Sequence, residues 1–130
     1  NADMVGHTGN FQATVKALEV IDFSLGMIIP AVLEKKGALI ISADHGNAEE
    51  KIFSVSGEKR TKHTSNPVPF FIITEDLKRS SARSPTDVKK MYAHTEGVLT
   101  DIAPTILELM GLPIPKEMTG LSLLARMRGS

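Results

Sequence analysis

Five side chains in this chain have the types and spacing to hold divalent metal: Asp3 and His7, the adjacent pair Asp44-His45, and His63. Asp3 and His7 are four residues apart, which puts them on one face of a helix or at neighbouring points of a loop leaving a strand. Asp44 and His45 follow the apolar run Ala38-Leu39-Ile40-Ile41 and precede Gly46. Such a run reads as a strand delivering its chemistry at its carboxyl end, where open α/β sheets place their sites. Neighbouring strand residues face opposite sides, so both can serve one site only if the chain turns at the glycine. Oxygen and nitrogen donors with no thiolate in the chain suit Mn²⁺, Zn²⁺, Co²⁺ or Fe²⁺.

Each of these residues also has a plainer reading. A lone Asp-x-x-x-His is equally a capping aspartate beside a surface histidine, and His63, after Lys59-Arg60-Thr61-Lys62, is by itself a rim residue. What favours a site is the company: an acid so soon after interior-type residues demands a partner, and Thr64-Ser65-Asn66-Pro67 has the turn chemistry to lock a loop next to His63. His94 has neither a carboxylate neighbour nor a following glycine and reads as structural. Imidazoles must be unprotonated to ligate, so metal binding is expected to weaken in acid.

Charge narrows the ligand class. A dication held by Asp3, His7 and His63 retains about +1, and a second held by Asp44 and His45 about the same, because ligating imidazoles are neutral. Two such ions attract a phosphate dianion and can stabilise both the attacking and the leaving oxygen of phosphoryl transfer.

The elements that must position these residues follow from periodicity. Asn10 is an N-cap candidate, and apolar residues recur at helical spacing from Phe11 to Leu33, with a kink or break expected near Pro30. Lys35-Lys36-Gly37 makes a helix exit, and a strand over residues 38–43 follows. Ile52 to Lys62, around Ser56-Gly57, suggests a small hairpin at the rim of the site. Phe70-Phe71-Ile72-Ile73-Thr74 is a second interior-type strand. Residues 76–87 read as a solvated loop, and Met91-Tyr92-Ala93-His94 as a short strand or turn. The spacing Val98, Ile102, Ile106, Leu109 predicts another helix, with Pro104 near its start and Gly111-Leu112-Pro113 at its end, and residues 118–127 are expected to pack back on the body.

The 130 residues, 42% hydrophobic and 23% charged, suit one globular unit. Fifteen basic and fifteen acidic residues cancel, which argues against a nucleic-acid or anionic-membrane partner. With no cysteine, no membrane-length apolar run and no basic-then-apolar leader, cytoplasm is the expected location.

Three stretches then carry a family resemblance. Asp3-Met4-Val5-Gly6-His7-Thr8-Gly9-Asn10-Phe11, Ala43-Asp44-His45-Gly46-Asn47-Ala48-Glu49 and His63-Thr64-Ser65-Asn66-Pro67-Val68-Pro69 closely resemble, in order and spacing, the cofactor-independent phosphoglycerate mutases of the alkaline-phosphatase superfamily. The similarity continues through Asp101 to Leu107 and Glu117 to Gly120. It implies an α/β fold, a three-layer alkaline-phosphatase-like sheet with flanking helices, incomplete in this chain, with residues 1–130 forming a carboxyl-terminal portion of the metal-binding phosphatase domain.

The resemblance also implies two Mn²⁺ ions, with Mg, Co or Zn as alternatives, and interconversion of 3-phosphoglycerate and 2-phosphoglycerate through a phosphoserine. Asp3, His7 and His63 match the ligands of one metal; Asp44 and His45 match two ligands of the other. The nucleophilic serine, a further aspartate ligand and the substrate-gripping transferase domain are expected in an amino-terminal segment outside these residues, so the chain alone is expected to be inactive. Ser42 is not the family nucleophile. Competing expectations are another metal-dependent phosphatase or phosphopentomutase of the superfamily, and a non-catalytic structural fragment.

Overall fold

The computed structural model describes residues 2–52 and 57–128, which group into two units, Asn1–Glu75 and Asp76–Ser130. The first unit opens with a short helix, α1 (Ala2–Gly6), and the turn at Gly9 (φ +64°) leads to the long helix α2 (Phe11–Glu34). Asn10 caps α2 as its type predicts, its Oδ1 accepting the Ala13 amide at 3.1 Å. The Thr14 hydroxyl, 2% exposed, donates to the Asn10 carbonyl at 2.9 Å and closes the first turn.

Of the kink or break expected near Pro30, the break does not occur: α2 runs through it as one helix. Proline removes only the one N–H bond that would have reached the Gly26 carbonyl, and the bonds of the turns on either side carry the helix past it. α2 packs on α1 but leaves Phe11, Leu18, Val20, Phe23 and Met27 exposed. The reason is size. A helix of 24 residues is about 36 Å long, whereas the five-residue α1 spans about 8 Å and covers only part of it.

The two apolar runs form β1 (Leu39–Ser42) and β2 (Phe70–Ile73), paired antiparallel with Leu39 opposite Ile73 and Ser42 opposite Phe70. Both are half-buried where the sequence suggested fully interior strands. The antiparallel register decides what the ribbon positions: the chain leaves β1 and enters β2 at the same end. Asp44-His45 and the segment 63–66 are thereby brought side by side. The Ser42 hydroxyl donates to the Pro69 carbonyl at 3.1 Å and ties that end together.

The excursion between the strands is pinned by two isolated antiparallel bridges, Gly46 to Thr64 and Ile52 to Lys59. The second agrees with the expected hairpin, whose residues 53–56 lie outside the described residues.

The second unit contains a helix where a loop and a strand or turn were expected, α3 (Pro85–Tyr92). Its signals are in the sequence: Ser84 caps it by accepting the Asp87 amide at 3.2 Å, Pro85 opens it, and Lys89 and Lys90 sit in its last turn. Val88, Met91 and Tyr92 recur at helical spacing in it, but over only eight residues, none of them buried, the pattern is too short to stand out. A 3₁₀ turn (Leu99–Asp101) leads into α4 (Ile102–Leu109), which ends at Gly111 (φ +68°) as predicted. The tail packs back within this unit as α5 (Leu124–Arg128), and Leu123 and Leu124 are its buried apolar residues.

Asp101 joins these pieces. Its carboxylate accepts the amides of Val98 (2.9 Å) and Leu121 (2.8 Å). Its carbonyl accepts the fully buried Thr105 hydroxyl (2.6 Å), which in turn accepts the Leu123 amide (2.9 Å). Thr105→Val keeps the shape but strands the Leu123 amide, so a loss of ~1–3 kcal/mol is expected in chemical denaturation.

The Val98 and Leu121 amides, opposed by partial burial and helped by Arg126, hold the Asp101 carboxyl below its ordinary value of 3.8. A depressed folded-state value stabilises the fold above the unfolded value and loses that contribution as pH falls below 3.8 through the folded value. Denaturation midpoints measured between about pH 2 and pH 5 are therefore expected to fall less steeply in acid for Asp101→Asn than for the parent.

Candidate metal centre

Asp3 sits in α1 and His7 just beyond it, with the His7 amide bonded to the Asp3 carbonyl at 3.0 Å, so the i,i+4 spacing places both side chains on one face. The ribbon end and the Gly46–Thr64 bridge bring His63 to the same place. Asp3 Oδ1 lies 3.4 Å from His7 Nε2 and 3.3 Å from His63 Nε2, and the two Nε2 atoms are 3.0 Å apart. Among the described residues this is the one group of three whose potential ligand atoms all lie within 4.8 Å of one another.

These separations fit a shared cation. Donors about 2.1 Å from one ion in tetrahedral or octahedral array stand roughly 3.0–3.4 Å apart. The orientation of His7 fits too. Its Nδ1 lies 2.5 Å from the Thr61 carbonyl, which accepts only, so the ring proton belongs on Nδ1 and the Nε2 lone pair faces the cluster. Two imidazole nitrogens and one carboxylate form a set that borderline divalent metals favour.

Asp44 and His45 stand next to this group as a separate pair. His45 Nε2 is 3.5 Å from Asp44 Oδ1, and the His45 ring stacks on His63 with centroids 3.5 Å apart and planes 16° from parallel. Asp44 is the most open of the five, its side chain 89% exposed, and it does not join the triad. His94 is exposed in the second unit. The glycine after His45 serves close approach: a Cβ on Gly46 would overlap Thr64 Oγ1 and Glu49 Oε1.

Behind the ligand candidates lies a polar layer that the residue types alone did not single out. Asn47 Nδ2 donates to Asp3 Oδ1 at 2.8 Å. That bond is the main cause of an Asp3 carboxyl held below the usual range, with His7, His63 and His45 adding to it against partial desolvation. Glu49 accepts the Asn47 amide (2.7 Å), Asn66 Nδ2 (3.1 Å) and the Thr64 hydroxyl. Burial pushes the Glu49 carboxyl up, yet these bonds and its own amide outweigh it and leave the group below its ordinary value. Glu49 thus ties the segment after His45 to the segment after His63. Glu50 adds a second tie by accepting Asn66 Nδ2 at 3.0 Å, and pairs with Arg60 at 2.7 Å. The only hint in the sequence is that Asn47, Glu49 and Asn66 cluster around the ligand candidates; which of them turn inward is set by tertiary contacts.

No helix among the described residues is long and apolar enough to cross a membrane. Residues 1–114 match the family model described as the metalloenzyme superfamily. The chain is 50% identical over 123 residues to the 2,3-bisphosphoglycerate-independent phosphoglycerate mutase of Clostridium novyi, and 51% identical over 125 residues to that of Gloeobacter violaceus. Each match covers 95% of this chain and 22% of the relative, so the chain spans under a quarter of the length of these relatives.

A crystal structure of Leishmania mexicana phosphoglycerate mutase at low cobalt concentration superposes with a TM-score of 0.67 at 28% identity, over 93% of this chain and 23% of that one. The helices and small antiparallel sheet thus match an incomplete alkaline-phosphatase-like α/β fold. A histidine and aspartate cluster at one end of that sheet, relatives at half identity and a family model over most of the residues agree: the chain belongs to the metalloenzyme superfamily.

Proposed function

We propose that this chain supplies most of the metal ligands of a 2,3-bisphosphoglycerate-independent phosphoglycerate mutase, interconverting 3-phosphoglycerate and 2-phosphoglycerate through a phosphoserine, as the carboxyl-terminal part of its metal-binding domain. The observation that carries the reading is the convergence of Asp3, His7 and His63 in a chain half identical to enzymes of that name. Asp3, His7 and His63 would hold one Mn²⁺, and Asp44 and His45 would contribute to a second. Bound metal would supply charge neutralisation of the transferring phosphoryl group and activation of the attacking hydroxyl.

The chain's own residues orient and aim. Thr61 fixes the His7 tautomer, Asn47 aims Asp3, and Glu49 holds the two ligand-bearing segments together. Ser42 gives its hydroxyl to Pro69 and has no nucleophilic part. The nucleophilic serine, the remaining ligands and the groups that hold the glycerate belong, in this reading, to polypeptide beyond these 130 residues, in a cytoplasmic glycolytic enzyme.

The test is made on the full-length polypeptide that carries this chain, stripped with a chelator and reloaded with Mn²⁺. Conversion of 3-phosphoglycerate to 2-phosphoglycerate without release of inorganic phosphate is the expected result. Metal-dependent hydrolysis of phosphate esters, or isomerisation of a pentose phosphate, with no phosphoglycerate conversion would assign the chain to a different member of the superfamily.

A further inference from the structure

Lys51 is 6% exposed, although nothing in its sequence surroundings calls for a buried cation. Its ammonium group donates to the Gly6 carbonyl at 3.0 Å and to Oδ1 of Asn47. Burying an ammonium is unfavourable unless its hydrogens are partnered, and a lysine needed only for packing would leave its head in water. One of the two contacts lies on the carboxyl end of α1, the helix that carries Asp3, where a cation is favoured.

The other contact settles the orientation of a side chain. Asn47 has one acceptor and one donor end, and rotating its amide by 180° exchanges them with little change in shape. Lys51 has donors only, so the atom facing it must be the Asn47 oxygen. The Asn47 NH₂ is then turned toward Asp3, where it lies 2.8 Å from Oδ1 and 3.4 Å from the backbone carbonyl. That Oδ1 is the oxygen facing both His7 Nε2 and His63 Nε2. The approach also depends on Gly6: a Cβ there would stand 2.6 Å from Asn47 Oδ1 and 2.8 Å from its Nδ2.

We propose that Lys51 is a positioning residue for the metal: by fixing the Asn47 amide it holds the Asp3 carboxylate aimed at His7 and His63. The inference rests on the reading of this triad as a metal site. It assigns to Lys51 an action through Asn47 and no contact with metal or substrate.

The experiment titrates Mn²⁺ and Co²⁺ into the metal-stripped full-length polypeptide, reading the dissociation constant and the visible absorption of bound Co²⁺, with the melting midpoint of the metal-free protein as a control for folding. Outer ligand partners typically contribute 10–100-fold to metal affinity, so Lys51→Met and Asn47→Leu are each expected to bind Mn²⁺ ~10–100-fold more weakly, with an altered Co²⁺ spectrum. Acting in one chain of contacts, they are not independent: the double variant is expected to bind no more weakly than the weaker single variant.

An affinity for Lys51→Met within about twofold of the parent, or losses that multiply in the double variant, would overturn the proposal. If Lys51→Met does not fold, Lys51→Gln takes its place. Its amide reaches one bond less far and is neutral, so a loss of at least ~5-fold is expected, and an unchanged affinity and spectrum would overturn the proposal. The two readings fail differently. A parent protein that binds neither ion, or binds both unaltered after Asp3→Ala, removes the metal site itself; a triad that binds but is indifferent to Lys51 removes only the positioning role.

Discussion

Replacing His63 with alanine is expected to weaken Mn²⁺ binding to the full-length polypeptide by more than ~100-fold, since even a partner outside the metal's own ligands is worth 10–100-fold. His63 meets Asp3 Oδ1 at 3.3 Å and His7 Nε2 at 3.0 Å, so its loss removes one of three converging donors. It also uncovers the face of His45. In the proposed reading, phosphoglycerate conversion should fall at least as far at limiting metal. The side chain is 47% exposed, so its removal leaves no large cavity and the metal-free melting midpoint should hardly move. Calorimetric titration together with the melting curve separates the two effects, and a metal affinity equal to that of the parent would remove His63 from the site.

Gly46→Ala is expected to be nearly as damaging for a different reason. The Gly46 carbonyl accepts the Thr64 amide at 2.8 Å, and a Cβ at Gly46 would overlap Thr64 Oγ1 and Glu49 Oε1, so the side chains that join the two segments would have to shift. Forcing one in costs ~1–3 kcal/mol of stability. It also moves the segment after His45 away from the segment that begins at His63, and a metal affinity ~10-fold or more below the parent is expected, the scale of a lost supporting contact. Because the obstacle is space and not a positive φ, Gly46→Ser should behave like alanine. Retention of wild-type affinity in either variant would mean that the Glu49–Thr64–Asn66 net is not what holds the two segments together.

Asp3 and His7 were legible as a pair through their i,i+4 relation, a local signal, whereas His63 read by itself as a rim residue and joined them through the company of the other candidates and the family resemblance. Asp44 was legible as a pair with His45 beside the triad, but not as the most exposed of the five. Its exposure depends on where the chain turns after β1, and that is fixed by the bridge to Thr64 and not by local propensity. α3 escaped notice because its apolar residues at helical spacing, Val88, Met91 and Tyr92, span little more than one turn and follow a polar stretch. The unbroken course of α2 through Pro30 ran against a local rule, since the turns around a single missing bond sustain the helix. Lys51 was the least legible of all. A lysine before Ile52 reads as surface, and only the Gly6 carbonyl and the Asn47 oxygen, neither of them visible as an acceptor in the sequence, explain its burial.

The antiparallel ribbon also sets when the centre can come into being. Ser42 and Phe70 close a loop on their own, but the meeting of His7 with His63 joins residues 56 apart in the chain and depends on that loop already being shut. Contacts of such long range repay their closure entropy late. A dication that binds only the assembled state would then act as a latch on the slowest-forming part of the chain, so the resistance of this region to unfolding and proteolysis would rise with the logarithm of the free metal concentration.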